Sequence, residues 1–308
     1  MLNQTLERSK YEVFVITDFE LDQRDDFTRE GVKFVLDGRK EFCKKLSSVM
    51  GLLKGSYICL LDDDDLYHEN KLFRVLQIFS EYSDVVFIQN NMGIINASST
   101  IVKERFYRNL EETYLGPFGV DSYNELKKLM KVKFGFNGSS ISVRKEVITR
   151  NLKTLATMEG SIEAFLLLSS VSIGGKLFFE RQILTDYRIH NDNNSVALLK
   201  MHRRLEMYTR HHSDWMCFTH VSIQSNNVWL KEVIDEQLSY LSIMAEIFNI
   251  ENNKERVLAL IPYFMRKYHL SLPLKSIILL ASIISLLSLF FGRIIIDTAS
   301  NLSWKVFR

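Results

Sequence analysis

Over most of its length the chain alternates short apolar runs with amphipathic stretches, a pattern that predicts strands interleaved with helices. Residues 1–10 read as the end of a helix, Tyr11–Ile16 as a strand, and 22–30, which are charged, as a loop. Val32–Leu36 is a second strand, and Glu41–Lys54 a helix with Phe42, Leu46, Val49 and Leu53 on one face, stopped at Gly55. Tyr57–Leu61 has the uninterrupted apolar character of a strand covered on both faces, and so of a central one. In the helix that comes after it, Leu72, Val75, Leu76 and Phe79 recur at helical spacing, which places Lys71 and Arg74 on the outer face.

Asp84–Gln89 is a further strand, Asn96-Ala97-Ser98 marks a hairpin, and residues 104–133 predict polar and aromatic helices interrupted at Pro117. Asn137-Gly138-Ser139-Ser140 leads into an apolar strand that ends at Val143. Ser161–Ile173 is a helix apolar almost throughout, ended by Gly174-Gly175, and Leu177–Phe179 is a strand. Beyond residue 197 the strand pattern stops, and Leu230, Ile234, Leu238, Leu241, Ala245 and Phe248 form the stripe of a long amphipathic helix.

Between Leu61 and Leu66 stand four consecutive carboxylates, Asp62, Asp63, Asp64 and Asp65. Adjacent negative charges repel, so such a run is stable either as a solvated turn or with a cation among its oxygens. In an extended chain Asp62 and Asp64 project to one side and Asp63 and Asp65 to the other, so one pair can face a ligand while the other holds the loop. Ligands of open α/β sheets bind beyond the carboxyl ends of strands, which is where this run falls. A divalent Mg2+ or Mn2+ held by one or two carboxylates, with phosphate oxygens completing its shell, suits that position.

Composition narrows the field. A net charge of +2 over 308 residues, with no arginine-rich face, argues against a nucleic-acid partner. Cys43, Cys59 and Cys217 are odd in number and widely spaced, which fits a reducing compartment rather than a disulfide scaffold or zinc site. No basic region leads into an apolar stretch at the amino terminus, so no secretory signal is expected. Residues 276–292 carry no charge and are flanked by Lys275 and Arg293, predicting a membrane-associated helix. The expected division is a catalytic domain over 1–197, a helical region over 198–270 and a membrane-associated tail over 271–308.

The strand, the Leu-Asp-Asp-Asp-Asp run and the helix that follows resemble the Asp-x-Asp segment of the inverting, GT-A-fold glycosyltransferases of the large second family. Leu184-Thr-Asp-Tyr-Arg-Ile-His190 is similar to that family's Tyr-Arg-x-His segment, and Leu2-Asn-Gln-Thr-Leu6 with Tyr11-Glu-Val to its first helix and second strand. The resemblance implies a mixed GT-A sheet flanked by helices and transfer of a sugar from a nucleotide-diphosphate donor to a glycan or lipid-linked acceptor. It assigns the metal to Asp64, Asp65 and His190, and the donor to Asp18, Asp62, Asp63 and Arg188. Arg188 could serve by holding phosphate or by orienting the loop.

The acceptor hydroxyl needs a base, and the family places acids about eleven residues before the glycine that ends the apolar helix. Glu163 holds that place, with Glu159 as the reserve. Two departures stand out: Thr17 replaces one of the family's paired aspartates beside Asp18, and the family's first strand would precede residue 1. They keep open an alternative, a catalytically impaired GT-A-like module anchored at a membrane. For the enzyme, the expected location is the membrane, with the catalytic domain on the cytoplasmic side.

Overall fold

The computed structural model describes residues 1–248, apart from 22–23, 108–109, 119–121, 191–200 and 226. It divides into two compact units, one comprising Met1–His190 with Cys217–Lys231 and the other the remainder. In the first unit, β1 (Val13–Thr17) leads through α1 (Arg24–Arg29) to β2 (Val32–Leu36), and β1 and β2 pair in parallel as a sheet of their own. α1 occupies a stretch whose charges predict a loop: Asp25 and Asp26 in its first turn and Arg29 in its last complement the helix dipole. The expected helical start is confined to a single 3-10 turn, Arg8–Lys10.

α2 (Phe42–Val49) buries Cys43, Leu46 and Val49 and stops short of Lys54. β3 (Tyr57–Cys59), β4 (Leu66–Tyr67), α3 (Lys71–Glu81), β5 (Val85–Asn96), β6 (Ile101–Lys103) and β7 (Thr113–Leu115) follow in order. Then come α4 (Ser122–Lys131), β8 (Ile141–Arg144), α5 (Lys145–Arg150), α6 (Leu152–Thr157), α7 (Ile162–Ser172) and β9 (Lys176–Ile189).

The fold is mixed α/β. Its larger sheet runs β3-β8-β5-β9-β4, with β6 added to β5 and β7 to β9. β5 and β9 are parallel along nearly their whole lengths, and β8 lies antiparallel to both β3 and β5. The acid-bearing strand, expected at the centre, is therefore terminal in the hydrogen-bonded order. Its apolar run is explained by α3: Tyr57 stacks on Phe79 at 4.5 Å between ring centroids. Val75, Ile78, Phe79, Val85, Ile88 and Phe178 complete that core. The guanidinium of Arg144 lies over both rings and donates from Nε to the Val85 carbonyl and from Nη2 to that of Phe79, closing the carboxyl end of α3.

β9 absorbs the expected short strand and runs on through Tyr187 and Arg188, because parallel pairing with β5 continues to Ile189, and His190 follows directly after its end. The connection from α7 to β9 runs tight against β5: a Cβ on Gly175 would stand 2.1 Å from Val86 Cγ2. β5 carries Gln89, Asn90 and Asn91 fully buried at a point where its register with β9 shifts. Asn91 meets the Tyr107 backbone through both ends of its amide, so the irregularity remains hydrogen-bonded.

Two long helices, α8 (Met201–Ser225) and α9 (Val228–Phe248), follow. Within the first unit, Phe218 packs on Phe165 of α7 and Trp229 on Phe118. Within the second, Tyr208 and Tyr240 meet edge to face. No helix among the described residues is long and apolar enough to cross a membrane, and the 276–292 stretch lies outside them.

Candidate active site

The four aspartates leave the end of β3 and are gripped between two flanking structures. On one side, β4 pairs with β9, setting Leu66 opposite Asp186 and Tyr67 opposite Thr185. This brings the carboxyl half of β9 alongside the acidic loop. Asp65 is buried, and its Oδ1 accepts the Arg188 backbone N–H at 2.8 Å. Asp64 Oδ2 meets His190 Nε2 at 2.8 Å, with each side chain 29% exposed. The Arg188 side chain reaches across the loop: Nε donates to the Asp64 carbonyl at 2.6 Å, and Nη1 to the Asn96 carbonyl and Ser99 Oγ, each at 3.0 Å. Of the two roles expected for Arg188, these contacts are the loop-orienting one. They fasten the β5–β6 hairpin to the acids.

On the other side stands the turn before β8. Asn137 is buried with φ +69°, a left-handed backbone that a short amide side chain tolerates by bonding locally. Its Oδ1 accepts the Ser139 N–H at 2.8 Å. This aims the Ser139 hydroxyl at the loop, where it accepts the Asp62 N–H at 2.9 Å. Glu163 enters from the first turn of α7, where helix N–H groups lack intrahelical partners, and its carboxylate lies beside Gly138, with Oε1 4.0 Å from where a Cβ there would stand; the backbone dipoles of Gly138 and of residue 163 itself favour the charged form. A helix start would favour the carboxylate, yet the enclosing protein outweighs these dipoles and burial pushes the Glu163 carboxyl above its ordinary range.

Glu163 and the acidic loop feel each other. Asp62 is raised to about 7, first by the desolvating surroundings and next by the charge of Glu163, then by Asp65, Asp64 and Asp63. The Asp62 side chain still presents surface to water, which tempers the desolvation but leaves the carboxylate repulsion in the same direction. Burial also raises Asp65, opposed by the Arg188 N–H and by Ser139 and Asn137 beside it.

The structure thus brings together Asp62, Asp64, Asp65, Glu163, Arg188 and His190. Asp63 belongs to the same loop and is exposed. Glu159 lies partly buried in the turn ahead of α7. Asp18 stands exposed at the end of β1, in the sheet that shares no ladder with the one bearing the other acids.

Among the described residues, no three His, Cys, Asp or Glu side chains converge as a closed metal cage would require. A cation whose shell is completed by substrate phosphates needs fewer protein ligands, and one observation fits it: Asp65 Oδ2 is buried without a hydrogen-bond partner. Asp65 and Asp64 would hold Mg2+ or Mn2+, with His190 adjacent.

Sequence reasoning missed three participants. Asn137 and Ser139 lie in the Asn-Gly-Ser-Ser stretch, which by the family resemblance leads to the acceptor side of the site; that Asn137 shapes the turn and that Ser139 holds the Asp62 N–H were not foreseen. Lys71, placed by periodicity on the outer face of α3, is instead fully buried. Its stem follows the helix inward to the loop, a direction that apolar spacing does not register.

No family model matches the chain, and no curated protein does. Among solved structures it is similar to S. aureus TarS 1-349 in complex with UDP, at 11% identity and TM-score 0.49, covering 84% of this chain and 71% of that one. The same protein in complex with UDP-GlcNAc gives 12% identity and TM-score 0.48, covering 86% and 81%. Mannosyltransferase PcManGT from Pyrobaculum calidifontis, in complex with GDP-Man and Mn2+, gives 12% and 0.41, covering 97% and 78%. With identities this low and TM-scores under 0.5, the functional reading rests on the site's geometry.

Proposed function

We propose that the chain is an inverting glycosyltransferase that moves a sugar from a nucleotide-diphosphate donor to a glycan or lipid-linked acceptor. The observation that carries this reading is the convergence of α7 and the acidic loop on the 138–139 turn: Glu163 Oε1 lies 4.0 Å from where a Cβ on Gly138 would stand, the adjacent Ser139 holds the Asp62 N–H, and Asp65 Oδ2 in that loop is buried without a hydrogen-bond partner. Transfer needs both parts, an anion-tolerant donor site and a base beside it. In this reading Asp62, Asp63 and Asp18 contact the donor. Asp64, Asp65 and His190 hold the divalent ion, which when bound would offset the charge of the departing diphosphate. Arg188 keeps the loop in place.

Glu163 takes the proton from the acceptor hydroxyl as that oxygen attacks the anomeric carbon. The bond from that carbon to the diphosphate oxygen breaks on the opposite face, so the configuration inverts. Burial suits Glu163 to the step, since a carboxylate with a raised pKa is a stronger base than one in water. The 276–292 stretch would associate with a membrane and keep the catalytic unit on its cytoplasmic side, near a lipid-linked acceptor.

A second reading, a GT-A-like binding or assembly module without turnover, draws support from β1 and β2 forming a separate sheet, so that Asp18 is not on the sheet whose strands carry the other acids. One assay discriminates. Incubated with Mn2+ and a panel of UDP- and GDP-sugars, the full chain is expected to release nucleoside diphosphate. Asp65→Ala should lower that rate by about 100-fold or more. Absence of release from every donor would reject the enzyme and leave the binding module.

A further inference from the structure

The acidic loop has a cation behind it that the proposed chemistry does not use. Lys71 opens α3 and is wholly enclosed by protein. Its Nζ donates to the Ser139 carbonyl and, at 2.9 Å, to Thr185 Oγ1. It also sits 3.9 Å from the centre of the Tyr67 ring. Each partner leads to the loop. Tyr67 ends it, and its hydroxyl donates back to the carbonyl of Leu60, where the loop begins. Ser139 receives the Asp62 N–H on its hydroxyl, so the residue held by Lys71 at its carbonyl holds Asp62 at its side chain. Thr185 Oγ1 donates to the same Ser139 carbonyl at 3.1 Å and accepts from Asn90 Nδ2 at 3.2 Å, tying the arrangement to β5 and β9.

We propose that Lys71 is the positioning residue of the acidic loop: its ammonium fixes Ser139 and Tyr67, and through them the donor- and metal-facing carboxylates. The role rests on the glycosyltransferase reading for its chemical purpose, but not for its geometry. Burying an ammonium is costly and is tolerated where hydrogen bonds and neighbouring charge compensate. Burial pulls the Lys71 pKa down to about 7, opposed by the neighbouring Cys59 and Asp65 side chains, while two oxygens and an aromatic face meet the ammonium directly. An apolar side chain of the same length would fill the space without that cost. The ammonium's distinctive effect is orientation: it selects one placement of the 137–140 turn against the loop.

The test compares wild type, Lys71→Met, Ser139→Ala and Asp65→Ala as full chains. Two readouts are used: Mn2+ binding in the presence of inorganic pyrophosphate, followed by the electron paramagnetic resonance of free Mn2+, and metal-free hydrogen exchange of the segment holding Asp62. Lys71→Met keeps the stem and should unfold cooperatively, yet bind Mn2+ about 10- to 100-fold more weakly, the range seen when a residue behind a metal ligand is lost. Exchange at the Asp62 amide should quicken about tenfold without metal.

Ser139→Ala lies on the same line of contacts and should reproduce both effects. Wild-type Mn2+ affinity in a folded Lys71→Met, or in Ser139→Ala should Lys71→Met fail to fold, overturns the positioning role while leaving the enzyme reading intact. Absence of Mn2+ binding by wild type, or binding unaffected by Asp65→Ala, instead overturns the enzyme reading, and with it the purpose assigned to Lys71.

Discussion

Replacing Glu163 with Gln separates chemistry from architecture at this site. The amide matches the carboxylate in size and keeps an acceptor oxygen beside Gly138, so α7 and the 137–140 turn keep their packing. What disappears is the basic lone pair. A positioned general base is worth about 10²- to 10⁴-fold, or roughly 3–5 kcal/mol of barrier. We expect kcat to fall by that factor, with KM for the donor changed by less than about threefold, since Glu163 serves the acceptor.

The pH dependence follows from the direction of the shift. Only ionised Glu163 can accept a proton and its pKa is raised, so wild-type kcat/KM should climb with pH through a limb above the usual carboxylate range. Glu163→Gln should lose that limb. Asp62, at about 7 partly because of the Glu163 charge, should then ionise at lower pH.

Stability moves the other way. A carboxyl whose folded pKa is raised holds its proton more tightly in the native state than in the unfolded chain. Stability therefore falls as pH rises from the unfolded value of about 4.3 toward the folded one. The amide lacks this slope, so at pH 8 the variant should melt at or above the wild-type temperature. The measurements are nucleoside-diphosphate release with Mn2+ from a donor the wild type turns over, and calorimetric Tm at pH 6 and 8. A variant that keeps more than about a tenth of kcat, or one whose activity and Tm fall together, would refute the base assignment.

Two further perturbations probe the scaffold. Gly175→Ala would drive a Cβ to 2.1, 2.7 and 2.9 Å from three atoms of Val86, a clash that no rotation of that side chain relieves. A loss of about 3 kcal/mol is expected in urea unfolding, partly recovered by adding Val86→Ala; no recovery would show that the strain lies elsewhere. Glu180 is fully buried and paired with Arg74 Nε, so Glu180→Ala leaves a guanidinium facing the interior with only the more exposed Glu112 and Gln77 as partners. A cost of about 3 kcal/mol, seen as a Tm lower by roughly 6–12 °C, is expected; a shift under about 2 °C would contradict it.

Much of the local structure was legible because local physics decides it. The 3.6-residue spacing around Val75 and Phe79, the apolar run at Tyr57 and the Gly174-Gly175 stop each act over a few residues, and α3, β3 and the end of α7 appear where they predict. The acidic run announced itself by charge density alone. Boundaries failed where pairing partners set them: β9 runs on to Ile189 because β5 runs beside it, and β3 is terminal because it pairs with β8 alone while β1 and β2 form a sheet of their own.

By itself, then, the sequence determined the α/β class, the acidic loop and the short roster of residues able to act as base or metal ligand, since these follow from side-chain chemistry and short-range periodicity. Only the tertiary structure decided that Glu163 stands beside the turn that holds Asp62, that Arg188 is engaged with the hairpin carbonyls, and that Lys71 points inward. Those outcomes depend on contacts between segments dozens of residues apart, whose geometry is set by strand pairing and core packing.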